Sequence, residues 1–379
     1  LQANRSRLDF HHQTQFQEQQ MKRIYNFSAG PAVLPVEVLE EASQGVREIH
    51  DSGMSILEVS HRGKDYEAVH FDAKERLLRV LGLDVQEYTA LFLGGGASLQ
   101  FAMLPMNYLT PDTVADYVVA GEWGVKAVKE AKRFGVVHIA GTSEGDRFAC
   151  LPTSLQFTPG ARYAHITTNN TIEGTQVRDL PDTGDVPLVA DASSDILSRR
   201  LDHTRFSLFY AGAQKNAGPA GVTLVIARKA FLAQASDDVP AILSYKTHEK
   251  SDSLYNTPPV FSIYVVGLVL KWIEAQGGLE AIERRNEEKA SLIYDALDAY
   301  PDVYEPTVRV REDRSRMNIT FRLRDASRER AFLEGAQARE MDGLKGHRSV
   351  GGFRASLYNA FPMEGACALA EYLHDFAKR

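Results

Sequence analysis

The sequence predicts an α/β protein whose larger part is a mostly parallel sheet covered by helices on both faces, followed by a smaller C-terminal α+β domain. Three observations lead there. From Tyr88 onward, apolar runs of strand length alternate with amphipathic runs of helix length, the pattern of a parallel sheet joined by helical crossovers. The stretch Ser207–Ala227 opens and closes as short buried-strand runs around the small-residue middle AGAQKNAGPAG. After Gly277-Gly278 the chain turns to a charged helix, a strand pair and two more helices, a change of character that marks a boundary. The expected division is a polar extension over residues 1–20, a large domain over 21–276 and a small domain over 277–379.

Taken in order, residues 1–20 are Gln-rich and lack a continuous apolar run, so they are expected to be an extension, native or appended, rather than a secretory signal. His11 and His12 read as solvated. Pro35 suits a first helical turn, and apolar residues at Val36, Leu39, Ala42, Val46 and Ile49 continue it until Gly53. A loop holding His61 and Arg62 precedes a second amphipathic helix, Tyr66–Leu81, closed by Gly82. Tyr88–Leu93 reads as a strand running into Gly94-Gly95-Gly96-Ala97-Ser98 and a helix over Leu99–Tyr108. Strand, glycine turn and helix together offer backbone N–H groups to a phosphate. The turn lacks a P-loop lysine, and Leu99 stands where a dinucleotide fingerprint needs its third glycine.

Strands are then expected over Val114–Ala120, Val136–Ala140 and Tyr163–Thr168, with a helix over Val125–Phe134 between the first two. Leu243–Pro259 reads as a long polar loop containing Asn256-Thr257, and Val260–Ala275 as an apolar helix. Beyond the boundary come a charged helix over Leu279–Tyr300, a strand pair around Val308–Leu323, and a closing helix from Met363. The glycine-rich segment GHRSVGGFRAS between the last helices holds His347, Arg348 and Arg354.

Ligands in such sheets gather at the carboxyl ends of strands. Lys215 sits there alone among Gly, Ala and Pro, where lost hydration lowers an amine's pKa and frees it to attack a carbonyl. Asp191 closes the apolar run Val186–Ala190, and a buried carboxylate needs a partner such as an aromatic ring N–H⁺. Trp123 follows a strand among small residues, and its indole can stack on a flat ring. Thr171, in TTNNTIEG, offers a hydroxyl. Each of these alone also has a plain reading as a turn lysine, a core tryptophan or a loop hydroxyl.

Composition narrows the classes. With 44% hydrophobic and 25% charged residues the chain is of ordinary globular type, and a formal charge of −7 without a basic run argues against nucleic acid or a membrane surface as partner. Cys150 and Cys367 are too few for a disulfide scaffold or a thiolate metal cluster, so no metal is expected, and they fit a reducing, cytoplasmic setting. The apolar run Val260–Leu270 is about half a membrane span.

An isolated lysine, a strand-end aspartate, a stackable tryptophan and a phosphate-ready turn are what pyridoxal phosphate needs together. The ordered motifs NFSAGPA, SHRGK, GGGAS, GEWG, ADASSD, AGAQKNAGPAG, NTPP and GHRSVGGFRAS resemble the phosphoserine branch of the class-V aminotransferases, over Ile24 to the C-terminus. The resemblance implies fold type I with a seven-stranded sheet, residues 21–35 crossing to the small domain, and a homodimer with sites at its interface. It further implies Lys215 as Schiff-base lysine, Asp191 at the pyridine nitrogen, Trp123 on the ring face and Thr171 near the phenolic oxygen. Phosphate contacts would come from Ala97, Ser98 and Gln214, with Asn256 and Thr257 of the partner subunit. Relatives often carry Arg in the turn where Ala97-Ser98 stand.

For substrates, the resemblance implies that Arg354 grips the α-carboxylate while His61, Arg62, His347 and Arg348 serve the distal phosphate or the side-chain carboxylate. The implied reaction exchanges an amino group between glutamate plus 3-phosphohydroxypyruvate and 2-oxoglutarate plus phosphoserine, with a vitamin B6 pathway substrate used by some members. Guanidinium forks match phosphate and carboxylate, and an acidic protein must concentrate them locally. Other readings stay open on sequence alone: an alanine-glyoxylate aminotransferase or cysteine desulfurase of the same class, a dehydrogenase using GGGAS, and a non-catalytic phosphometabolite binder.

Overall fold

The computed structural model describes residues 23–379, so the extension expected over 1–20 lies outside the described residues. The chain begins with β1 (Tyr25–Asn26), α1 (Val36–Arg47), α2 (Lys64–Val80), β2 (Tyr88–Leu93), α3 (Gly96–Tyr108), β3 (Val114–Val119), α4 (Glu122–Ala131) and β4 (Val136–Thr142). It continues through β5 (Ala164–Thr167), β6 (Leu188–Asp191), β7 (Phe206–Gly212), β8 (Thr223–Arg228), α5 (Lys229–Leu232), α6 (Tyr245–Lys250) and α7 (Val260–Ala275). The last part is α8 (Gly278–Asp298), β9 (Tyr304–Pro306), β10 (Asn318–Leu323), α9 (Glu329–Gln337), β11 (Met341–Asp342), β12 (Phe353–Ser356) and α10 (Met363–Ala377).

The large sheet has seven strands in the order β2-β8-β7-β6-β5-β3-β4, and every pairing is parallel except those of β8, which runs antiparallel to β2 and β7. Successive residues serve opposite faces. In β2, Ala90 and Phe92 enter the core beneath α2 and α7, whereas Leu91 and Leu93 enter the core beneath α3 and α4. A strand apolar at every position is what a sheet covered on both sides demands. Register then places the site: Thr167 pairs with Asp191 and Asp191 with Tyr210, so β5, β6 and β7 finish level with one another.

Several boundaries differ from the sequence reading. Helix α3 starts at Gly96, not Leu99, because Gly95 and Gly96 take φ of 81° and 64° and swing the chain straight into the helix, a turn open to glycine. Helix α4 starts at Glu122, not Val125, which puts Trp123 in a first helical turn rather than a loop. The polar segment 243–259 contains α6, and the expected strand pair is β9 and β10 within a three-stranded antiparallel sheet completed by β12.

Phe321, Phe332, Phe353, Leu369 and Leu373 gather into a second hydrophobic core, and Phe27 joins them because β1 pairs in parallel with β11. Helix α8 serves both cores, Leu279 and Ile282 packing in the large one and Ile293 and Leu297 in the small one. The joint between the two cores is also polar. Asn169 donates to Ser194 and Asn318, and Asn359 donates to Leu197 O while accepting from Asn286, all of them buried. These buried amide donors, each with an acceptor, fix one docking geometry, since a slipped one would strand them without water.

Candidate active site

Lys215 lies in the turn between β7 and β8, held by small residues on both sides. Its Nζ donates to Thr171 Oγ1 at 2.7 Å. The N-terminal segment folds over its stem: a Cβ on Gly30 would stand 3.4 Å from Lys215 Cγ, and Ala32 N–H donates to the Gln214 carbonyl at 2.8 Å. Burial strips water from the ammonium and brings its pKa to about 8, helped by the Arg354 charge and opposed by the carboxylates of Asp191 and Asp195. Near neutral pH, a useful fraction of free amine is present.

Asp191 ends β6 and is 4% exposed. Its Oδ1 accepts the Ser193 N–H at 2.9 Å, and burial raises its pKa against the pull of Ser193 and Lys215. That carboxylate is poised for a cationic N–H. Thr171 is the hub of the site, because its hydroxyl takes the Lys215 amine while its carbonyl takes Arg354 Nη1 at 3.1 Å. Arg354, on β12, is half-buried with an Nε that is buried and unpartnered among the described residues, and burial lowers its pKa against Tyr358 and Glu173. Trp123 sits with its ring centroid 5.8 Å from Lys215 Nζ, its own Nε1 buried and without a partner among the described residues.

The glycine turn leads directly into the start of α3. Gly96, Ala97 and Ser98 are its first residues, and first-turn N–H groups have no intrahelical acceptor, so they are free for an anion. Gln214 folds back over Gly212, where a Cβ would meet its Oε1 at 2.6 Å. His347 and Arg348 lie in the loop before β12. Burial lowers the His347 pKa, with Arg354, Arg348 and Lys126 pushing the same way and Glu122 opposing, so these charges share one neighbourhood.

No hydrogen bond or ion pair between described residues joins His61, Arg62, Asn256 or Thr257 to Lys215, Asp191 or Arg354. Asn256 lines a cavity with Gly94, Gly95 and Leu99, and His61 precedes α2 with a buried, unpartnered Nε2.

Sequence reasoning missed two members. Lys126 places Nζ 4.2 Å from the Trp123 ring centroid, three residues on along α4. Glu173 is buried and reaches α4, its Oε1 accepting the Glu122 N–H at 2.9 Å, and burial pushes its pKa up to about 7. Placing the helix start at Glu122, an acidic first-turn residue, would have exposed the first of these.

The residues fit pyridoxal phosphate on their own terms. A partly neutral amine, an under-neutralised strand-end carboxylate, an indole beside the amine and a helix N-terminus with free donors are the complements of its aldehyde, ring nitrogen, ring face and phosphate. Comparison with known proteins agrees. The family model described as Aminotransferase class-V matches residues 24–369. A phosphoserine aminotransferase of Niallia circulans is 52% identical over 359 residues, spanning 94% of this chain and 99% of the relative. The solved phosphoserine aminotransferase of Bacillus circulans subsp. alkalophilus superposes with a TM-score of 0.91 at 51% identity, over 94% of this chain and 99% of that one. A pyridoxal-phosphate-bound phosphoserine aminotransferase from Trichomonas vaginalis gives 0.86 at 38% identity, over 93% and 99%.

Proposed function

The chain belongs to the class-V aminotransferase family, and from that footing we propose that it is a pyridoxal-phosphate-dependent phosphoserine aminotransferase. It interconverts 3-phosphohydroxypyruvate plus L-glutamate with O-phospho-L-serine plus 2-oxoglutarate, a step of serine synthesis. The observation that carries the reading is the convergence of Lys215 and Arg354 on Thr171, which puts a reactive amine beside a carboxylate-gripping guanidinium.

When bound, pyridoxal phosphate supplies the carbonyl that captures amino groups and the ring that accepts the electrons of a broken Cα–H bond. Lys215 Nζ would anchor the cofactor and is the residue that would serve as base at the substrate's Cα proton. Asp191 would keep a proton on the ring nitrogen. Thr171 would meet the phenolic oxygen, and Trp123 would lie on the ring face. Ala97, Ser98 and Gln214 would hold the phosphate, with Asn256 and Thr257 of the partner subunit.

Arg354 holds the α-carboxylate in a fork, which orients Cα toward Lys215. His347 and Arg348, with His61 and Arg62, receive the distal phosphate or the side-chain carboxylate of glutamate. A homodimer with sites at its interface, as the family resemblance implies, would complete the site. The free Cys150 and Cys367 favour a reducing cytoplasm. Assaying phosphorylated against unphosphorylated hydroxypyruvate with glutamate tests the assignment; equal rates would move it to another member of the class.

A further inference from the structure

Helix α4 carries Trp123 but brings no cap of its own. Its N-cap is Gly121, which has no side chain to offer the first N–H groups. The missing acceptor comes from 51 residues along the chain, where Glu173 Oε1 takes the Glu122 N–H at 2.9 Å. The docking is close. A Cβ on Gly121 would stand 2.6 Å from Glu173 Oε2 and 2.5 Å from Asn170 Oδ1, so only a bare backbone passes here. Glu173 is itself fixed from behind, since its carbonyl accepts the Thr320 hydroxyl of β10 at 2.6 Å. Its Oε2 is buried and has no hydrogen-bond partner among the described residues, in a side chain 2% exposed.

Three consecutive functions therefore hang on one short segment: Glu173 grips the start of α4 with Asn170 close beside it, the Thr171 hydroxyl holds Lys215, and the Thr171 carbonyl holds Arg354. Trp123 is the second residue of that helix, one peptide from the N–H that Glu173 receives. We propose that Glu173 is a positioning residue for the cofactor site: its carboxylate docks the N-terminus of α4 onto the Thr171 segment and so keeps the Trp123 indole in register with Lys215 and Thr171. An acceptor at a helix N-terminus is favoured both by the orphan N–H groups and by the helix dipole. This rests on the reading of Trp123 as the ring-face contact of pyridoxal phosphate.

The chain has two tryptophans, so Trp272→Phe leaves Trp123 as sole reporter. In that background, the full-length apoprotein is probed by acrylamide quenching of Trp123, then titrated with pyridoxal phosphate while energy transfer from Trp123 and Kd are followed. Glu173→Met, which fills the volume without an oxygen acceptor, is expected to raise quenching in the apoprotein and weaken Kd by roughly fivefold to tenfold. Glu173→Gln keeps an acceptor for the Glu122 N–H and is expected to restore both readings. Circular dichroism confirms that each variant is folded, and Glu173→Ala serves as a second truncation should Met strain the pocket. Folded truncations with the parent's quenching and Kd overturn the positioning role alone; a parent that shows no energy transfer from Trp123 overturns it together with the cofactor reading beneath it.

Discussion

The lysine side of the site and its anion-gripping side are built by different means. Asp191 ends β6, while Thr171 and Lys215 lie just past β5 and β7; Asp191 and Thr171 are buried, Lys215 is partly so, and they are tied by bonds of 2.7 to 2.9 Å to one another or to the backbone. Arg348 is exposed and His347 only partly covered, in a segment whose Gly343, Gly351 and Gly352 all have positive φ and whose His347 Nδ1 is met by Ser349 Oγ at 2.7 Å. Strand ends give geometry fixed before substrate arrives, which lowers the barrier to the chemical step. A glycine-rich loop gives reach and charge. The contrast implies that damage on the lysine side appears in kcat and damage on the loop side in KM.

The widest gap is expected at Lys215. Lys215→Ala should cut kcat on the order of 10⁴-fold or more with the fold retained, because anchor and base are lost together. Turnover within tenfold of the parent would end the division of labour. The same amine gives a sharper test in the apoprotein: capture of pyridoxal phosphate should accelerate as pH rises through about 8, where Lys215 loses its proton, rather than near the usual 10.5 of lysine. Next comes Asp191→Asn, which keeps shape but not charge and should lower kcat by roughly 10² to 10³ with a smaller change in KM for glutamate.

Much of the lysine side was legible because its signals are local. An apolar run ended by a lone aspartate, and a lone lysine between two strand-like runs, identify Asp191 and Lys215 within a few residues of sequence. The two grips that organise the site were not legible. Arg354 meets Thr171 across 183 positions and Glu173 meets Glu122 across 51, and neither residue type announces such a partner. Trp123 was found as a residue but misplaced, since GEWG reads as a turn when the glycine is in fact required by the close approach of Glu173 and Asn170. Helix α6 escaped for a different reason: at six residues it is too short to be stable by propensity and forms because Tyr245 and His248 are buried against the rest.

On the loop side the expected effects are smaller and fall on affinity. Arg348→Ala should raise KM for 3-phosphohydroxypyruvate by about tenfold, the worth of one charge-assisted bond, with kcat within a factor of three. Arg354→Ala should be intermediate, raising KM for glutamate further and lowering kcat as well, because this arginine is tied into Thr171. Steady-state kinetics on both substrates would separate the two. Equal kcat losses at Arg348 and Arg354 would erase the boundary between the regions.

Glu173 sits where the two regions meet, and its titration supplies the subtlest test. Its pKa is about 7 in the fold, chiefly through burial, against an ordinary value of 4.5. Between those values the folded chain holds the proton more tightly than the unfolded one, so this residue makes stability fall as pH rises across the window. Below pH 4.5 the penalty is absent, and above 7 it is complete, on the order of 3 kcal/mol at most. Glu173→Gln removes the titration while keeping an acceptor for α4. The variant should therefore melt a few degrees above the parent at pH 8 and level with it near pH 4.5, as read by thermal unfolding of the apoprotein in matched buffers. A constant difference at every pH would mean that the carboxylate is not the buried, charge-strained group that joins Trp123's helix to the strand-end half of the site.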